Sequence, residues 1–97
     1  MKKNELERFI ELGTLLKTHR TRLGLSQSDV ANKFKFTSQF ISNWENGKSS
    51  PPLNILPELC KILEIDQKEM MTVIVRQTEI ELKHHFANNK KRITKTA

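Results

Sequence analysis

Residues 26–47 read SQSDVANKFKFTSQFISNWENG. Ser26 is a helix N-cap, and acidic Asp29, three positions on, completes the signature of a helix start. Val30, Ala31 and Phe34 then form a short apolar stripe at helical spacing. That helix lasts only about nine residues before Lys35-Phe36-Thr37 interrupts it. A second short helix starts at Thr37 or Ser38, carries Phe40, Ile41 and Trp44 inward, and ends at Asn46-Gly47. Ser38, Gln39, Ser42, Asn43 and Asn46 are left for its outer face. Ala31, midway along the first helix, is small enough for a close helix crossing.

The flanks extend the same pattern. Residues 5–22 form a first helix with Phe9, Leu12, Leu16 and Leu23 on one face, and Gly24 supplies a left-handed stop. Residues 48–52 (KSSPP) are a loop by composition. A fourth helix spans 54–63, with Pro57 tolerated in its first turn and Ile55, Leu56, Leu59, Cys60 and Leu63 on its buried face. Asp66 caps a fifth, which runs as far as Asn88, and residues 89–97 lack apolar period and read as a flexible basic tail. The fold class is all-α with five helices: a domain at 1–65, a C-terminal helix at 66–88, and the tail.

Two short helices joined by a three-residue turn are the skeleton of the helix-turn-helix, whose second helix enters the DNA major groove. The segment LGLSQSDVANKFKFTSQFISNWENGKSSP (residues 23–51) resembles the Cro/cI-type (XRE) helix-turn-helix family of phage and bacterial transcriptional regulators. The likeness covers roughly residues 12–65. It rests on Ser26-Gln27 opening the first motif helix, Ala31 at the crossing, Ile41-Ser42 in the second, and Glu45-Asn46-Gly47 closing it. Lys48 and the prolines after it also fit.

The resemblance implies a lambda-repressor-like domain with helices 2 and 3 as the DNA-binding motif. It implies base contacts from Ser38, Gln39, Ser42 and Asn43, and backbone contacts from Gln27, Thr37, Asn46 and Lys48. It also implies a partly buried ion pair between Arg20 and Glu45. The residues argue for that pair independently, because Arg20 lies on the first helix's apolar stripe and an arginine there needs a partner. Many relatives have glycine where this chain has Lys35, so a positive φ at Lys35 would cost roughly 1 kcal/mol.

Seventeen Lys+Arg against eleven Asp+Glu leave +6 over 97 residues, with a pI near 9.7. Such a balance suits a polyanionic partner without identifying one. Residues 37–46 contain no lysine or arginine, so the commonest guanine contact is not open to this helix. Gln39 and Asn43 can instead pair with adenine, while Lys33, Lys35 and Lys48 supply flanking phosphate contacts.

The length excludes the large enzyme architectures. The single cysteine, Cys60, excludes an internal disulfide and reads as a small core residue. No secretory leader is visible in residues 1–8, and the longest mostly apolar stretch, Met70 to Val75, is six residues, so a cytoplasmic location in a bacterial or phage-infected cell is expected. His84-His85 diverge by about 100° on a helix and have no i, i+4 histidine partner, so no metal site is expected. Neither a cofactor motif nor a catalytic constellation appears, and an enzyme is not expected.

The expected partners are double-stranded DNA and a second copy of the chain. Met70, Ile74, Leu82 and Phe86 recur at four-residue steps broken only by Thr78, and Ile74, Leu82 and Phe86 are the candidate dimer contacts. The alternative is an antitoxin, in which the fifth helix and tail would bind a toxin protein and the same fold would repress its own operon.

Overall fold

Each turn between the helices is set by a local device. Ser26 Oγ accepts from the Asp29 N–H at 2.9 Å while Asp29 Oδ2 accepts from the Ser26 N–H at 2.8 Å. This reciprocal box starts a helix at Gln27 and holds the Asp29 carboxyl below its usual pKa, chiefly through the Ser26 backbone bond. Gly24 at φ +73° and Gly47 at φ +76° take the left-handed conformation at which the preceding helices stop. Lys35 does the same at φ 61°, and Phe36 N–H then closes onto the Ala31 carbonyl at 3.0 Å.

The computed structural model describes the backbone of residues 9–96 and the side chains of residues 9–88. In order it contains α1 (Ile10–Arg22), α2 (Gln27–Phe34), α3 (Ser38–Glu45), a 3₁₀ turn (Leu53–Ile55), α4 (Leu56–Leu63) and α5 (Gln67–Thr96), with no strand among the described residues. The architecture is thus all-α with five helices. Residues 5–8 of the expected first helix lie outside the described residues.

The core gathers Leu12 and Leu16 of α1, Val30 and Ala31 of α2, Ile41 and Trp44 of α3, Leu59, Cys60 and Leu63 of α4, and Met70 and Val73 of α5. Burying each large aliphatic side chain contributes about 1.5–3 kcal/mol. Burial also pushes the Cys60 thiol up from its usual pKa, which keeps it an inert packing residue. Gly13 allows a close helix approach. A Cβ there would sit 2.5 Å from the Glu45 carbonyl oxygen and 2.6 Å from that of Trp44, so α1 crosses the end of α3 backbone to backbone.

Four expectations need correcting. Phe40 does not point into the core; it is 49% exposed and lies over Phe36, ring centroids 5.4 Å apart. Ile41 and Trp44, three residues apart, define the inner face of α3, and Phe40 falls on its flank. The fourth helix does not begin as an α-helix at Asn54. Pro57 has no N–H to bond the Leu53 carbonyl, so residues 53–55 tighten into the 3₁₀ turn and α4 follows with Pro57 in its first turn.

The fifth helix continues past Asn88 to Thr96, because no glycine or proline interrupts 67–96 and Ala87, Lys90, Lys91 and Arg92 are good helix formers. Residues 89–96 are therefore helical in backbone rather than a loose tail. Ile74, finally, packs partly against the core instead of lying on an outward stripe. The outward positions on the same turns belong to Met71 and Val75, followed along that face by Leu82 and Phe86.

A 30-residue α5 is about 45 Å long, and the molecule measures 54 × 26 × 23 Å. Its first half is fastened to the body. Arg76 forks onto Glu11 of α1, with Nε and Nη2 at 2.9 and 2.6 Å, and Gln77 Nε2 donates to Ser50 Oγ at 3.1 Å. None of residues 78–88 is buried, so the second half extends beyond the core.

Candidate nucleic-acid interface

The inner side of α3 is anchored at Glu45, whose side chain is almost wholly buried beside a mostly buried Arg20. Arg20 donates through Nε to Oε2 at 2.5 Å and through Nη2 to Oε1 at 3.0 Å, a two-pronged pair. Its remaining Nη1 reaches the Leu25 carbonyl at 2.7 Å, so the guanidinium also braces the turn into α2. Gln27 Nε2 donates to the same Glu45 Oε1 at 3.1 Å. One carboxylate therefore joins the end of α1, the start of α2 and the end of α3.

This junction has an electrostatic consequence. Glu45 is the only charged residue in 37–46, and its charge is matched internally by Arg20. The face that α3 turns outward is consequently neutral but rich in hydrogen-bonding groups. Ser38 and Gln39 are exposed there, with Ser42 and Asn43 half-buried beside them. Gln39 Nε2 donates to Asn43 Oδ1 at 3.0 Å, and Asn46 Nδ2 donates to Ser42 Oγ at 3.2 Å. The four residues expected to face bases thus share one side of one helix.

Most of the residues expected at the DNA backbone flank α3 along the chain. Lys33, at the end of α2, and Lys35 and Thr37, in the turn before α3, are exposed. Asn46 and Lys48 follow α3, both exposed, and the Lys48 N–H caps the Asn43 carbonyl at 2.9 Å. Gln27 stands apart because its amide nitrogen is already engaged by Glu45. The resemblance implies that Gln27 also supports the second motif helix, and its bond to Glu45 at the end of α3 does so. The role of Gly13 has no such sequence signal beyond a glycine inside a helical pattern.

The family model described as "Helix-turn-helix domain" matches residues 11–72, which takes in α1 through α4 and the first turn and a half of α5. The chain belongs to the helix-turn-helix domain family. Within that domain α2 and α3 are the motif helices, and the exposed Lys33, Lys35 and Lys48 lie in the segments before and after the second. The match ends at residue 72, so the outward-facing Val75, Leu82 and Phe86 lie beyond it. No solved structure matches the chain with significance.

Among the described residues no three His, Cys, Asp or Glu side chains come together as a metal-holding group. His84 and His85, with ring centroids 6.1 Å apart, meet only edge to face. No described helix is long and apolar enough to cross a membrane.

Proposed function

We propose that this helix-turn-helix chain is a sequence-specific DNA-binding transcriptional regulator of the Cro/cI type, a dimeric repressor that lays α3 in the major groove. The observation that carries this reading is the outer face of α3, where Ser38, Gln39, Ser42 and Asn43 offer donors and acceptors while Glu45's charge is neutralised inside. A buried-anchor helix with such a face suits base edges, which are read by hydrogen bonds. Exposed Lys33, Lys35 and Lys48 beside it suit the phosphates that position the helix, and the chain's +6 supports association with a polyanion.

One domain of this size spans few phosphates, and pairing on half-sites about 34 Å apart supplies the missing affinity. The second half of α5 is the proposed pairing element, through Leu82 and Phe86 with Met71 and Val75 continuing the stripe. Such a regulator acts where bacterial DNA is, in the cytoplasm.

Gel shifts across a salt series test the DNA reading. Gln39→Ala should lose discrimination between sequences, whereas Lys48→Ala should weaken binding to all DNA and reduce the salt slope by about 1. A Gln39→Ala protein with unchanged sequence preference would count against base readout. Leu82→Glu with Phe86→Glu should lower the sedimentation mass from dimer to monomer. A second small protein co-purifying on α5 would favour the antitoxin reading instead.

A further inference from the structure

The outer face of α3 is not a row of independent polar side chains. Gln39 and Asn43 are joined by a bond from Gln39 Nε2 to Asn43 Oδ1 at 3.0 Å, and Ser42 and Asn46 form a parallel pair at the same spacing. Each amide has two N–H donors and one oxygen acceptor. The bond therefore gives the two amides unlike free groups, although by residue type they are nearly the same.

Gln39 gives one N–H to Asn43 and keeps the other next to an Oε1 that has no partner among the described residues. A neighbouring donor and acceptor on one amide plane match adenine, which offers N6–H and N7 side by side in the major groove. Asn43 has turned its oxygen toward Gln39. What it presents away from that bond is Nδ2, with two N–H groups and no partner among the described residues. Ser42 Oγ already accepts from Asn46, so its own proton is free to donate. The part of the face around Asn43 is thus made of donors.

A cluster of donors discriminates sharply. Guanine offers N7 and O6 and thymine offers O4, all acceptors, whereas cytosine shows an amino donor and adenine sets its amino group beside N7. Opposite guanine both donors meet acceptors, whereas at adenine only N7 accepts and the second donor faces N6–H, and cytosine shows only its amino group.

Resting on the DNA-binding reading above, we propose that α3 assigns its two amides different tasks at neighbouring base pairs. Gln39, held in orientation by Asn43, reads adenine. Asn43 reads guanine through Nδ2, with the Ser42 hydroxyl as a second donor. This narrows the expectation that both amides pair with adenine.

The test is selection of bound sequences from a random DNA pool by the full chain and three variants, each checked for helicity by circular dichroism. The unaltered protein should enrich an A·T pair at one position and a G·C pair at a neighbour. Gln39→Ala should relax the adenine position alone. Asn43→Ala should erase the guanine preference and also soften the adenine preference, because Gln39 loses its brace. Asn43→Asp keeps an oxygen toward Gln39 but removes the donor. It should retain adenine, while the preference for guanine at the neighbour falls about fivefold or more.

An A·T pair at the Asn43-dependent position of the unaltered protein would overturn the assignment of tasks and leave DNA reading intact. So would an adenine preference untouched by Asn43→Ala. A folded protein that enriches no sequence at all would overturn both.

Discussion

Gly13→Ala opposes two effects of known sign at one position. Alanine is favoured over glycine in a helix by up to about 1 kcal/mol, and Gly13 is the fourth residue of α1, so propensity alone makes the variant more stable. Packing says the reverse. The new Cβ would stand 2.5 Å from the Glu45 carbonyl oxygen, 2.6 Å from that of Trp44 and 2.9 Å from the Glu45 carbonyl carbon. All three are backbone atoms, so no side chain can swing away, and α1 must shift from the end of α3.

That shift acts on the Arg20–Glu45 pair, whose tightest bond is 2.5 Å. Overpacking costs about 1–3 kcal/mol, and with three main-chain atoms inside 3 Å the upper end applies. Less the propensity gain, the net loss is about 2 kcal/mol, or about 8–16 °C in Tm for a domain of this size. Thermal and urea melts followed by circular dichroism measure it. A Gly13→Ala protein as stable as the parent would show that α1 and α3 are not in backbone contact, and the account of this crossing would fall with it.

Other perturbations test separate parts of the argument. Arg20→Ala leaves Glu45 buried and unpaired and should cost about 3–5 kcal/mol, with a smaller loss when Glu45→Gln is added, as a double-mutant cycle would show. Lys35→Gly relieves a left-handed residue and should raise stability by up to about 1 kcal/mol in denaturant melts, since the glycine's extra unfolded entropy offsets part of the gain. Asp29, with its pKa lowered by the Ser26 bonds, adds stability that is complete above the ordinary 3.8 and is lost as pH falls through the lower folded value. The gap in Tm between the parent and Asp29→Ala should accordingly be widest near neutrality and narrow below pH 3.8.

The parts of the fold legible in the sequence are those decided within a few residues. Ser26 with Asp29, Gly24 and Gly47 each act on their own neighbours, so residue type and spacing reveal the helix ends. The outer face of α3 was legible for the same reason, since Ile41 and Trp44 fix the opposite side. What stayed hidden depends on distant partners. Phe40 is as apolar as Trp44, and only the placement of Phe36 over the turn explains why it remains at the surface. Ile74 and Val75 differ by one step around α5, and which of them meets the core depends on how that helix docks on α1 and α4. The bond from Gln27 to Glu45 spans eighteen positions, and the Gln39–Asn43 bond depends on rotamers that residue types do not specify.

The Glu45 junction also bears on how the molecule opens. Because one carboxylate holds α1, α2 and α3 together, none of the three can detach alone without stranding a buried charge. Native-state hydrogen exchange should therefore find their amides exchanging as one cooperative unit, at the free energy of global unfolding. Past Gln77, where α5 has no buried residue through 88, amides should exchange through local fraying at far lower free energy. The chain is divided into a body that opens all at once and an arm that unwinds turn by turn.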